Sequence, residues 1–422
     1  MTTETAAPPL PRGALKLVFD PTFGGLFWAK ILSVIGVWIH CIVAAVVVFD
    51  ETGSALMVGL VGVVQFGPQL VLSPLSGKWA DRGDPARQIQ LGRLLCTIGS
   101  ISIGLCLIAL PHLSDLETAF VVLAGSSLVG IGFVVGGPAM QSIVPTLIRP
   151  GELPTAMALN SVPMTLGRMA GPVVGAYLTA QVSAAAAFFA SAALSFVFVA
   201  YIALAKLPKP PKRLAGADYR IRTALRYVSN DRQLALALLA VATVGFASDP
   251  SITLVPAMAA ELGAGTHLVG WLTAAFGAGA AVGLATLALA RGRVSSARAS
   301  TAGLLGLTVG SAALALGQTA AVALIGFGLA GLGFGWAMAA LSTVIQEHAP
   351  DELRGRIMAL WMVGFVGSRP LAAAVLGGAA DHWSTQISFA IAAALTLTVT
   401  VLWIVGIRRT AAAKTADTPS FA

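Results

Sequence analysis

Long apolar runs separated by short polar breaks repeat along the whole chain, and their lengths set the fold class. The runs lie at about residues 24–49, 54–75, 89–111, 118–144, 155–180 and 184–205, and, after a polar stretch, at 233–258, 267–290, 299–317, 319–346, 356–380 and 385–407. Most reach the roughly 20 residues that carry a helix across a hydrocarbon core. Lipid offers no partners for backbone N–H and C=O groups, so spans of this kind are helices rather than the alternating strands of a barrel. The pattern predicts an all-α polytopic membrane protein with twelve transmembrane helices.

Composition agrees. Of 422 residues, 57% are hydrophobic and 10% charged, against about 25% charged in soluble domains. A dozen crossings use roughly 290 residues, which leaves no room for a separate catalytic domain. The net charge of +8 would fit a nucleic-acid partner, but the positions of the 26 Lys and Arg decide otherwise. Connections after even-numbered spans hold Lys78, Arg82, Arg87, Arg149, Lys206 to Arg232, Arg291, Arg293, Arg298, Arg354 and Arg356, whereas those after odd-numbered spans hold no Lys or Arg. The positive-inside rule then places both termini in the cytoplasm, and the basic charge faces anionic lipid, not nucleic acid. The polar, Pro-rich start at Met1 to Pro11 shows no cleavable signal, and the first apolar run is too long for one. Cys41, Cys96 and Cys106 lie within spans without metal-ligand spacing and read as small buried hydrophobes.

The polar stretch divides the chain into a tail at 1–23, a six-helix half at 24–205, a basic linker at 206–232, a second half at 233–407 and a tail at 408–422. Within the linker, Tyr219 to Val228 is amphipathic and suits a membrane surface. Matches at a nearly fixed offset mark a duplication. Gly130-Ile131-Gly132-Phe133 returns as Gly331-Leu332-Gly333-Phe334, Met157-Ala158-Leu159 as Met358-Ala359-Leu360, and Phe66-Gly67 as Phe276-Gly277. Two repeated six-helix halves are the plan of a secondary transporter that rocks about a midplane site.

Several motifs carry a family resemblance over nearly the whole chain. Gly77-Lys78-Trp79-Ala80-Asp81-Arg82-Gly83 resembles the loop signature of the major facilitator superfamily, and Gly171-Pro172-Val173-Val174-Gly175 resembles the Gly-Pro element of its exporters. Pro138 to Leu153, Ala158-Leu159-Asn160-Ser161, Arg168 to Pro172 and Glu352-Leu353-Arg354-Gly355-Arg356 resemble the enterobactin exporter subgroup. Two departures stand out: Asp84-Pro85-Ala86 separates Arg82 from Arg87, and no acidic residue stands near Val37-Trp38 in the first span, where the subgroup commonly has one. The resemblance implies the major facilitator fold in a bacterial cytoplasmic membrane and export of a small molecule. It implies a conformational latch at Gly77, Asp81, Arg82, Gly83 and Arg87, in which carboxylate and guanidinium meet neighbouring helix ends. Solvated charges that merely enforce topology explain the same residues.

Gly167, Gly171 and Gly175 recur every four residues on the fifth span, as do Gly279 and Gly283 on the eighth. Small faces allow close packing; if the two spans meet, the glycines and Pro172 form a hinge, although static packing uses them equally well. Charge inside the hydrocarbon is costly and marks function by default. Three such residues emerge: Arg168, its repeat equivalent Arg369, and Asp249 beside Pro250. His40 lies at nearly the level of Asp249, and the four are expected to converge on one cavity. The arginines keep their charge and suit an anionic or oxygen-rich substrate. Asp249 can carry a proton, with His40 beside it in that role, and the expected cycle has Asp249 alternate with substrate for Arg369. A structural Arg–Asp lock is the competing reading. Gln65, Gln69, Gln141 and Asn160 are candidate cavity polar groups, and Trp38, Trp336 and Trp361 candidate stacking surfaces, each equally a packing residue.

The function expected is proton-driven efflux of a small amphipathic or anionic molecule, siderophore-like or drug, by an antiporter. Its partners are substrate, protons and the bilayer; it acts as a monomer and needs a proton gradient but no cofactor or metal. Uptake or flipping of a lysolipid is the alternative transport class. An enzyme finds no His cluster, Ser-His-Asp set or phosphate loop here, and a sensor would need a signalling domain for which the length leaves no space.

Overall fold

The computed structural model describes residues 12–149, 151–205, 207, 221–290, 293–350 and 352–416, with the side chains at 74, 77, 78, 80–82, 141, 221, 222 and 410–416 outside that description. Within it the chain runs as α1 (Phe23–Thr52), α2 (Ala55–Arg82), α3 (Pro85–Ala109), α4 (Asp115–Ile143), α5 (Leu153–Gln181) and α6 (Ala184–Leu204). The seventh span, α7, is broken into Arg232–Ser248, Pro250–Thr253 and Val255–Glu261. There follow α8 (Thr266–Leu289), α9 (Ser296–Leu316), α10 (Ala320–His348), α11 (Arg354–His382) and α12 (Thr385–Ala416). Among the described residues, 11 helices are long and apolar enough to cross a membrane. The twelfth long helix is α5, which carries Pro163, Arg168 and Pro172 in its interior.

Contacts among the first six helices recur six helices later. Pairs α1–α5, α1–α6, α2–α4, α3–α4 and α3–α6 are matched by α7–α11, α7–α12, α8–α10, α9–α10 and α9–α12. The first and last six meet mainly along α5–α8 and α2–α11. α1 is apolar all round, and its buried residues run from Phe23 through Val48, as expected of a helix enclosed by others.

Glycine placement departs from the sequence reading. The face of Gly167, Gly171 and Gly175 turns to α1, not to α8. A Cβ on Gly171 would lie 2.5 Å from Cβ of Trp38, one on Gly167 2.6 Å from Val34 Cγ1, and one on Gly175 2.9 Å from Ile42 Cγ2. α5 and α8 do meet, but the glycines at that seam belong to α8: Gly270 abuts Ala176 and the Pro172 carbonyl, and Gly277 abuts the Arg168 carbonyl. Gly279 and Gly283 press against Gly328 and Leu332 of α10. The face of Gly167, Gly171 and Gly175 expected at the α5–α8 seam therefore packs on α1, while Pro172 does sit at that seam.

The segment expected as a loop at Gly77 to Arg82 is the last part of α2, with Gly83 as its cap; its Asp81 and Arg82 side chains lie outside the described residues. Asp84 caps α3, accepting from the Ala86 and Arg87 amides at 3.0 and 3.5 Å. Arg87 is 86% exposed and pairs with this Asp84 at 4.0 Å, so it is held by its own helix start instead of by a neighbouring helix end. The amphipathic linker piece forms a helix at Ile221–Asn230; Tyr219 lies outside the described residues.

At the basic end, Glu152 precedes α5 and is clasped by the chain before α1. The Arg12 Nε and Nη2 donate to its two carboxylate oxygens at 2.8 Å each, and the Arg12 and Arg149 amides add bonds of 2.7 and 2.8 Å. Arg12 also pairs with Asp20. The hydrogen bond from Arg12 is the main cause holding the Glu152 carboxyl at about 2, below an unperturbed value of about 4.3. Because the folded value is depressed, the stability from this clasp is complete above about pH 4.3 and is lost as the pH falls towards 2. Glu152→Gln should lower the thermal midpoint at pH 7, and the gap to wild type should narrow as the pH drops through that window. A gap unchanged between pH 7 and pH 3 would refute the clasp.

Candidate functional site

α7 breaks at Asp249 because Pro250 has no N–H to donate and crowds the preceding turn. The break leaves Asp249 4% exposed, with Thr253 Oγ1 donating to its Oδ2 at 2.5 Å. Arg369, on α11 next to Pro370, places Nε 3.4 Å from Asp249 Oδ1, and its guanidinium lies 4.6 Å over the Phe66 ring of α2. That Nε is buried without a hydrogen-bond partner, so the pair is held by charge at loose geometry. Such a contact exchanges more readily than a forked, hydrogen-bonded one.

Arg168 reaches the same break from α5, where Nη2 donates to Ser251 Oγ at 3.2 Å. Its guanidinium lies over three rings, Phe276 at 4.5 Å, Phe334 at 4.9 Å and Trp38 at 5.2 Å. Aromatic faces attract a desolvated cation, which compensates in part for the missing carboxylate. Among the described residues Arg168 has no ion pair, and its Nε is buried and unpartnered. The two arginines also feel each other's charge. With one carboxylate against two guanidiniums, the site carries a net positive charge.

A cavity of about 170 Å³ opens beside Arg168, walled by Met164, Gly277, Leu284, Phe334 and Met338. Met164 and Leu284 are 45% and 42% exposed, so the cavity opens at the α5–α8 seam. A second hollow of about 320 Å³ shares Leu284 and continues to Ser296 and Glu347 at the basic end. Trp361 stacks on Phe365 at 5.9 Å, Phe365 meets Phe334 at 6.1 Å, and Phe334 meets Phe276 at 5.5 Å, forming an aromatic wall that ends at Arg168.

Arg168, Arg369, Asp249, Trp38 and, through the aromatic wall, Trp361 are thus linked around the α7 break, and of these Arg168 lines the cavity. His40 does not. Its Nδ1 and Nε2 bond Ser100 Oγ at 2.9 Å and Ser126 Oγ at 3.0 Å, and its ring meets Phe188 edge-on, all inside the first six helices. Fully enclosed by neutral hydroxyls from α3 and α4, it is a satisfied core histidine and not a second proton carrier beside Asp249. Trp336 also departs, donating from Nε1 to Thr286 of α8 at 2.9 Å, away from the cavity wall formed by its neighbours Phe334 and Gly335. Gln65 is buried and contacts Cys41 Sγ at 3.0 Å, while Gln69 bridges α2 to Met362 of α11. Asn160 accepts from Lys30; the Gln141 side chain lies outside the described residues.

Two further cations lie inside the helices, half-buried Lys30 and buried Arg93. Lys30 and Arg93 stood at the edges of apolar runs, where the positive-inside rule already accounts for a basic residue. The available signal was that each sits several residues inside its helix. At the opposite, acidic end the two sets of six helices are clasped. Asp381 at the end of α11 accepts from Ser54 Oγ, the Ala55 amide and the Leu56 amide at 2.6, 2.6 and 3.1 Å, capping α2 across the interface. Gln181 and His267 meet at 3.1 Å between α5 and α8.

Residues 14–421 match the family model described as a transmembrane secretion effector of the MFS class. The chain belongs to the major facilitator superfamily. Within it, the chain is 29% identical over 373 residues to the enterobactin exporter EntS of Shigella flexneri, covering 85% of each, and 28% identical over 364 residues to that of Salmonella typhimurium at the same coverage. The fold resembles a bacterial homologue of the lysosomal transporter Spinster, with TM-score 0.72, 15% identity and 91% and 96% of the two chains covered. It also resembles the nucleoside transporter NupG, with TM-score 0.73, 14% identity and 90% and 99% covered. This superfamily member is a multi-pass membrane transporter and not an enzyme.

Proposed function

We propose that the protein exports a small, hydroxyl-rich, anionic or amphipathic molecule in exchange for protons, with its basic end in the cytoplasm of a bacterium. The two sets of six helices rock about the Asp249 break, and the clasp at Asp381 holds the state open to the cytoplasm. The observation that carries the reading is an ionisable Asp249, loosely paired with Arg369, beside an uncompensated Arg168 on a cavity wall. Similarity to the enterobactin exporters supports the direction and the class of substrate.

Linkage restricts what such a substrate does at the site. Exchange requires proton and substrate to exclude one another. A substrate that only displaced the Asp249 carboxylate from Arg369 would favour protonation of Asp249, and both would move in the same direction. A substrate hydroxyl donating to ionised Asp249 reverses the sign, since a proton on Asp249 removes the charge that makes it a strong acceptor. Arg168 then holds the substrate's acceptor oxygens, and the rings around it take its apolar part. In this cycle ionised Asp249 loads substrate from the cytoplasm and a proton arriving from outside expels it. Comparing small molecules inside and outside deletion and wild-type strains tests the reading. Cytoplasmic accumulation in the deletion strain supports export. The opening at Met164 and Leu284 favours a second reading, lysolipid uptake, which predicts lost uptake of labelled lipid and no accumulation.

A further inference from the structure

Lys30 and Arg93 lie outside the Asp249 site and share one depth. Lys30 is seven residues into α1, Asn160 seven into α5 and Arg93 eight into α3. At 1.5 Å per residue all three sit about 10–12 Å from helix starts at the basic end. Lys30 Nζ donates to the Asn160 carbonyl at 2.9 Å and to its Oδ1 at 2.6 Å, which fixes the ammonium and leaves one of its three N–H bonds to spend. Arg93 is 3% exposed. Its guanidinium lies 5.7 Å from the Phe133 ring and 5.8 Å from that of Phe198, yet Nε and Nη1 have no hydrogen-bond partner.

The two cations feel each other's repulsion, and among the described residues neither forms an ion pair. Of the carboxylates described at this end, Asp20 and Glu152 are taken by Arg12, and Asp84 caps the start of α3. Buried charges in proteins are paired or neutralised, because an uncompensated one costs several kcal/mol or more. A planar guanidinium with two unpartnered nitrogens and an ammonium at the same depth offer several donors and double positive charge, the chemistry that binds a tetrahedral or planar oxyanion.

We propose that Lys30 and Arg93 form an oxyanion-binding site inside the basic end of the first six helices, with Asn160 positioning Lys30. The group bound is a phosphate, sulfate or carboxylate, carried either by a soluble ion or by a lipid headgroup. The site is separate from Arg168 and does not depend on the transport cycle.

The test is thermal unfolding of the full-length protein titrated with sodium sulfate, against sodium chloride at matched ionic strength. A parallel arm uses phosphatidylcholine vesicles with and without phosphatidylglycerol. A sulfate-specific rise in the midpoint is expected in wild type and in Arg168→Met, with apparent affinity at least about tenfold weaker in Lys30→Met and Arg93→Met. Lys30→Met, made at a partly exposed position, should also match or exceed the wild-type midpoint without sulfate, because it removes the repulsion. If only phosphatidylglycerol stabilises, and both variants lose that response, the oxyanion is a headgroup. An equal response in wild type, Lys30→Met and Arg93→Met overturns the proposal, as does a response lost only in Arg168→Met.

Discussion

Asp249→Asn should abolish acceleration of efflux by an imposed pH gradient while leaving exchange of labelled for unlabelled substrate in place. The amide keeps the shape of the side chain and an acceptor for Thr253, 2.5 Å away, but cannot alternate between charged and neutral forms. The response to the gradient should fall at least about tenfold, whereas exchange, which needs no net proton movement, should change far less. The single variant strands Arg369 without its counter-ion, and breaking one side of a buried pair costs about 3–5 kcal/mol. Its thermal midpoint should therefore drop. Asp249→Asn combined with Arg369→Gln, which leaves no unpaired charge at that position, should recover much of the stability and none of the coupling. Proteoliposome efflux and thermal unfolding, measured together, separate the proton role from a structural lock. A lock alone predicts that the double variant regains both.

Asp381→Ala should shift the protein towards the state open at the acidic end. Three donors of α2 lose a shared carboxylate, and hydrogen bonds to a charged group are each worth about 1.5–3 kcal/mol. Water recovers part of that, so the shift should amount to about tenfold or more in population, at 1.4 kcal/mol per decade. Ala373 is buried where α11 crosses Gly59 of α2, and a cysteine placed there reports the opening. Its reaction with a membrane-impermeant thiol reagent should speed up in Asp381→Ala, with Asp381→Asn between the two. Equal rates in all three backgrounds would show that the clasp does not hold the interface.

How much of this was legible in the sequence follows from which physical signals a membrane chain retains. Span lengths and loop charge are set by the bilayer, so the helix succession could be read directly. The repeat offset that pairs Arg168 with Arg369 also held, because duplicated positions occupy equivalent places in equivalent bundles. Facing was not legible. α1 is apolar on every side, so no polar stripe told that His40 points to Ser100 and Ser126 instead of to Asp249. The same uniformity hid the partner of Gly167, Gly171 and Gly175, for a small face shows that something packs closely without showing what. Lys30 and Arg93 were masked for a different reason: the rule that explains basic residues at cytoplasmic span ends absorbed them before their depth was considered.

The central claim is that proton and substrate exclude one another at Asp249. It is tested most directly by the sign of the proton change when enterobactin, the substrate named for the relatives, is added to purified protein in weak buffer at a pH where Asp249 is protonated. The account predicts net proton release by the wild type and none by Asp249→Asn. Proton uptake on binding, or equal release by the variant, would contradict it.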